Sequence, residues 1–345
     1  MTGVIHSVTL PVGSAPVVAV GARVQPADVL ALRRPPTDGV TLQIAAPLRR
    51  SASAAWECLV ARPGSTLQRD DLLASDQHGR EVRAPHACLF LGYDPDHGTA
   101  LLSPLGDEEP IVGHVRGRVT RVTPSAIDVR VAGAMLTGVG GIGSPVHGKL
   151  RLAVDAEGDE LRAGAIDSEA TGRIMVGGSR ASAETLTRAR AMGVAGMVLG
   201  GVLDKDLRDF EATQQRRKEG GGVVGEFSVL LLEGYGKIGM DPGVFTWLRA
   251  HDGKMVSLFG DDARLYVYDA TPPPVRRLLP TAGDHVVGTR RPYAGAGGRL
   301  VRIFPGLHVA SSGLAARAGL VRFEDGRTGI VPLANLEATE PATRA

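Results

Sequence analysis

Lysine is scarce in this chain. Only Lys149, Lys205, Lys218, Lys237 and Lys254 occur, so nothing before residue 149 can perform chemistry that needs a lysine. Cysteine is scarcer still: Cys58 and Cys88 could in principle pair, but two thiols are too few for a disulfide framework and fit a reducing compartment. Aromatic residues make up 4% of the chain, which leaves the core to aliphatic side chains. No apolar run approaches the ~18 residues needed to cross a bilayer. The opening MTGVIHSVTLPVG has neither the basic region, the apolar stretch nor the small-residue cleavage site of a secretory signal. The expectation is a cytoplasmic protein with no membrane partner. A nucleophile elbow, a Walker loop, an H-E-x-x-H and a paired-carboxylate motif are also missing.

Glycine and proline are plentiful, 46 and 22 of 345 residues, and favour many turns and short strands. With 43% hydrophobic and 22% charged residues the chain can bury a core and is long enough for several domains. The net charge of +2 hides an asymmetry, because residues 276 to 337 carry nine arginines against four carboxylates.

Two phrases recur in the first part. VGARVQPADVLA (Val20 to Ala31) and RPGSTLQRDDLLA (Arg62 to Ala74) share a glycine, an aliphatic residue three positions on, an aspartate four further and then Leu-Ala. A weaker third copy covers Glu157 to Asp167. PHACLF from Pro85, PIVGHV from Pro110 and PVHGKL from Pro145 each place a small residue three positions after proline. Interleaved short-strand phrases imply a β-fold built of similar halves. They resemble the barrel-sandwich hybrid fold of biotinyl and lipoyl domains, membrane-fusion adaptors and the amino-terminal part of RnfC-type electron-transport subunits. The resemblance covers about half the chain and implies a fold more than a function. A carrier would need a lysine at its hairpin tip, an adaptor a long helical hairpin, and an RnfC-type subunit cysteine clusters; this sequence has none of them.

The middle changes character. GRIMVGG (Gly172 to Gly178) reads as a strand, SAETLTRARAMG (Ser182 to Gly193) as a helix capped by Ser182 and Gly193, and VAGMVLGG (Val194 to Gly201) as another strand. This βαβ unit is followed by an expected helix over Asp204 to Arg217, a strand in FSVLLLEG, a helix near Pro242 to His251 and a strand in KMVSLFG. TPPPVRRLLP (Thr271 to Pro280) reads as an extended proline-rich linker holding a last module apart.

That module contains Gly283, Asp284 and Val286, the turn RPYAGAGGRLVRI with Pro292, Gly295 and Gly298, and the closing VRFEDGRTGIVPLANLE. It resembles a KOW module, the small SH3-like barrel of ribosomal large-subunit proteins and of a transcription elongation factor. The resemblance spans about 60 residues. It implies contact with RNA, DNA or protein through the turn and its strands, with Arg290 and Arg291 meeting phosphates, Tyr293 stacking on a base and Arg299 and Arg302 extending the patch. The plainer reading is that the arginines keep an edge hairpin soluble and Tyr293 packs across the turn.

Other candidates are weaker. GVGGIG (Gly138 to Gly143) satisfies G-x-G-x-x-G, but strand rather than helix is expected after it. Gly177, Gly178, Gly200 and Gly201 end two strands where α/β sheets bind ligands, and are candidate ligand-binding positions without accompanying catalytic side chains. Cys58, His78, His86, Cys88 and His97 match no zinc spacing. Glu226 and Glu233 flank a buried strand and read best as solvated or capped strand ends. No cofactor, metal or catalytic residue is assigned.

The expected architecture is multidomain and β-rich. It comprises a barrel-sandwich-like region over 1–163, a small α/β sheet domain over 164–270, a linker over 271–280 and an SH3-like module over 281–338. The leading function is a non-catalytic binding or assembly protein docking through its last module on RNA, a ribonucleoprotein or a protein partner. A scaffold self-assembling as a homo-oligomer through its β-rich half is the alternative, and an enzyme with a ligand site in the α/β domain ranks third.

Overall fold

The computed structural model describes residues 3–221, 225–274, 279–309 and 315–340. Strand outweighs helix, 43% to 16%, so the β-rich expectation holds. The chain divides into two compact units: one holds Ser7–Gly113 and Arg118–Val129, the other the residues up to His6, His114–Gly117 and everything from Arg130 onward.

The smaller unit is mostly short strands, joined by two four-residue helices, Ala45–Leu48 and Ala52–Ala55. Its largest core packs Ile44, Leu48, Leu73, Phe90 and Leu102, each wholly buried. The repeated phrase has a physical cause here. Asp28 accepts a hydrogen bond from the Gln25 N–H at 2.8 Å and donates its own N–H to the Gln25 carbonyl, and Asp71 does the same with Gln68 at 2.7 Å. Each aspartate closes a tight turn between a two-residue strand (Arg23–Val24, Thr66–Leu67) and a longer one (Val29–Arg33, Leu72–Ser75). The proline phrase also has a cause: Cys88 is wholly buried, and in the third copy a Cβ at Gly148 would lie 2.3 Å from the Gly172 carbonyl, which leaves no room for a side chain there.

The larger unit is organised by a ten-stranded mixed sheet. Its centre is four parallel strands, Val146–Leu152, Arg173–Val176, Gly196–Val202 and Ser228–Tyr235. Their residues alternate between two cores. Ile174, Val176, Val198, Leu230 and Leu232 face the Pro242–Ala250 helix, whose Val244, Phe245 and Leu248 are buried there. Met175, Met197, Leu199, Val229 and Leu231 face the Ala183–Ala191 and Asp204–Glu219 helices through Leu186, Leu207 and Phe210. Near-continuous apolar strands follow from burial on both faces. The expected βαβ unit is present, with the Ser182 hydroxyl accepting from the Thr185 N–H at 3.2 Å and Gly193 left-handed at φ 75°.

The strands Gly133–Thr137, Gly140–Ile142 and Val146–Leu152 belong to this sheet although the sequence reading placed them with the β-rich half. Strand alternation says that a strand exists and not which sheet receives it. No helix follows GVGGIG, which continues into the Val146–Leu152 strand.

The terminal module forms a five-stranded antiparallel sheet, in the spatial order Thr328–Pro332, Ala318–Phe323, Gly297–Ile303, His285–Gly288 and Leu336–Glu340, with a single 3-10 turn at Leu333–Asn335. Asp284 repeats the turn seen at Asp28, accepting from the Thr281 N–H at 2.6 Å. Between its strands the chain leaves to form His308–Val309 and Ala315–Ala316, and the latter pairs with Gly140 at one end of the ten-stranded sheet. Arg317 N–H donates to the Val139 carbonyl at 3.0 Å and the Tyr235 hydroxyl to the Ala315 carbonyl at 2.5 Å. The module therefore shares a sheet with the α/β layer instead of standing off on the proline stretch, whose residues 275–278 lie outside the described ones.

Candidate nucleic-acid interface

Alternation in the terminal sheet sends Val286, Leu300, Val321 and Phe323 into its core. The residues between them point outward, and the register sets His285 opposite Arg299, Arg299 opposite Arg322 and Arg322 opposite Thr328. All four are exposed. Neighbouring strands lie about 4.8 Å apart, so three basic side chains form one row across the sheet. Arg299 Nε donates to the Gly283 carbonyl at 3.0 Å, which fixes its guanidinium. Among the described residues no carboxylate pairs with Arg299 or Arg322, whereas nearby Arg327 is held by Asp325 at 2.6 Å. Like charges placed directly opposite each other destabilise a sheet unless an anion lies over them.

The other residues suggested by sequence are dispersed. Arg290 and Arg291 are exposed on the turn before Pro292, whose peptide bond is cis, and with Tyr293 they line a cavity of about 540 Å³ along the Thr328–Pro332 strand. Tyr293 is half-buried and stacked on Phe323, ring centroids 4.6 Å apart and 16° from parallel, so one face of its ring is already covered. Arg302 follows a β-bulge and lies 4.7 Å over the Phe304 ring, which in turn stacks on His308 at 5.2 Å. Sequence reasoning missed His285 and Arg322. Strand alternation could have put both on the outer face with Arg299, but only the pairing register puts them in one row.

The strand-end glycines are filled in. A Cβ at Gly178 would lie 2.6 Å from the Asp159 carbonyl, and one at Gly200 2.4 Å from the Ile238 carbonyl. Gly177, Gly200 and Gly201 donate their N–H groups to the carbonyls of Val198, Gly178 and Ser179. All four glycines are buried, Gly178 under the chain at Ala156–Asp159, Gly200 and Gly201 under Gly236–Met240, and Gly177 against Leu161 and Leu199, and three of their four backbone donors are occupied by protein. Glu233 accepts from the Asp241 N–H at 3.2 Å, and Asp241 caps the helix through Val244 N–H at 2.9 Å. These carboxylates carry structure.

In the smaller unit, burial pushes the Cys88 thiol above its usual range, with Asp71 adding to it, and His97 bonds Asp94 at 2.8 Å. Among the described residues no three metal-ligating side chains converge. In the larger unit, His6 is buried against Phe259 and 3.0 Å from the Tyr266 hydroxyl, and burial, with Arg264 and His114, lowers its pKa to about 4. No helix among the described residues is long and apolar enough to cross a membrane. No protein-family model matches the chain, and no curated protein matches it.

Proposed function

We propose that the chain is a non-catalytic binding protein whose last module is an SH3-like, KOW-type barrel that docks on RNA, alone or within a ribonucleoprotein, through the row His285, Arg299 and Arg322. The single observation that carries this reading is that Arg299 and Arg322 stand directly opposite each other without a carboxylate partner among the described residues, with His285 next in the row. Phosphates laid along the row would neutralise a repulsion that the sheet otherwise bears. The five-strand order and the 3-10 turn before the last strand support the barrel, and the turn chemistry shared by Asp28 and Asp71 supports a barrel-sandwich hybrid of two similar halves for the smaller unit.

Anisotropy of a labelled mixed-sequence RNA tests it. The full chain should bind with an affinity that falls steeply as salt rises, and Arg299→Glu/Arg322→Glu should lose at least about tenfold and flatten the salt slope by roughly one unit or more. Binding that is insensitive to salt, or unchanged in the double variant, would remove the RNA assignment.

A further inference from the structure

The Thr328–Pro332 strand is an edge of the terminal sheet, paired only with Ala318–Phe323. The Leu333 N–H donates to the Arg317 carbonyl and the Phe323 N–H to the Arg327 carbonyl. With the register Ala318↔Pro332 and Arg322↔Thr328, these bonds make Gly319↔Val331 and Val321↔Gly329 the pairs that exchange hydrogen bonds. The backbone N–H and C=O of Thr328 and Ile330 therefore point to the free side, and among the described residues nothing accepts from or donates to them. Natural edges are blunted by charge, bulges or cover. This one presents Ile330 with 45% of its surface exposed.

The free side is also concave. All five residues of the strand line the cavity of about 540 Å³, which Arg290, Arg291, Tyr293 and Val309 line as well. That volume falls within the ~300–1,000 Å³ of ordinary ligand clefts. Its lining is cationic, and neither arginine pairs with a carboxylate among the described residues. A cavity lined both by an open β-edge and by two arginines without carboxylate partners has the chemistry of a slot for one more strand.

We propose that this edge takes an extended acidic peptide segment of a partner protein as a sixth strand, its backbone paired to Thr328 and Ile330 and its carboxylates facing Arg290 and Arg291. Main-chain pairing supplies affinity, and the arginines select the charge. Arg322 stands opposite Thr328, so the row borders this site; backbone pairing and Arg290 with Arg291 define the site, and a peptide that cannot pair tests it without touching the row, so the two assignments can fail independently.

The test titrates labelled octapeptides into the full chain: alternating Val-Glu, alternating Val-Lys, and the Val-Glu peptide N-methylated at every second amide. The proposal expects saturable binding of the first, at least about tenfold weaker binding of the other two, a similar loss in Arg290→Glu/Arg291→Glu, and binding retained in Arg299→Glu. Ile330→Pro, which deletes the edge N–H, should match N-methylation; because the peptide modification needs no folded variant, it decides the matter if that substitution unfolds the module. Equal binding of the N-methylated peptide would reduce the site to charge attraction and overturn strand addition. Displacement of the acidic peptide by RNA that persists in Arg299→Glu/Arg322→Glu would assign the cavity to phosphate and overturn it too. Concentration-dependent self-association lost in Ile330→Pro, with no binding of the acidic peptide, would assign the edge to a second copy of the chain.

Discussion

Aspartates at four places in the chain perform one task. Asp28, Asp71, Asp159 and Asp284 each accept the N–H three residues back and return their own N–H to that residue's carbonyl. The repetition was legible at Asp28 and Asp71 because the flanking Leu-Ala pairs match. The weaker copy at Glu157 to Asp167 contains the equivalent carboxylate at Asp159, and Asp284 carries no repeat because its following strand has different side chains. What recurs is a donor position and a carboxylate, which sequence similarity records poorly. Asp28→Ala and Asp71→Ala should each cost about 1 kcal/mol, with Asn at either position recovering most of it. Thermal unfolding reads the difference; a loss no larger than that of Ala at exposed Asp96 would mean the turns form without the carboxylate.

At the scale of elements, the parallel strands and their helices were readable because burial on both faces leaves apolar runs such as Ser228–Tyr235, bounded by capped helices. Less readable was what covers the strand ends. Gly177, Gly178, Gly200 and Gly201 read equally well as a ligand cradle or as close packing, and the difference lies in the turn at Asp159 and the chain at Ile238, remote in sequence. Gly200→Ala should destabilise by about 1–3 kcal/mol, since its methyl would meet the carbonyls of Ile238 and Gly178 and the amide of Met240, none of which is a flexible side-chain end. Denaturant unfolding measures it. A neutral result would show that the covering chain can move away and reopen the ligand reading. The cationic row failed to appear in sequence for a related reason: Arg299 and Arg322 stand far apart along the chain, and only the pairing of their strands makes them neighbours.

Over the whole molecule, His6 gives folding a dependence on pH. It is held neutral in the folded state, with a pKa of about 4 caused first by burial and then by Arg264 and His114. The unfolded chain takes up a proton near 6.5 and the folded one does not, so stability is complete above pH 6.5 and declines as pH falls toward 4, by about 3 kcal/mol at most. Burial lowers His114 as well, in the same direction. His6→Gln should flatten the unfolding free energy between those limits relative to the unaltered protein; parallel curves would show that the dependence arises elsewhere.

The strand Ala315–Ala316 also sets an order of events during synthesis. Gly140–Ile142 leaves the ribosome long before Ala315–Ala316, the strand that borders it. Until then the nascent chain carries an open rim on its largest sheet. Any fragment ending before residue 308 keeps that rim permanently, so premature termination would yield a species that seeks foreign strands, and chaperone engagement should persist on such fragments and end on the full-length chain.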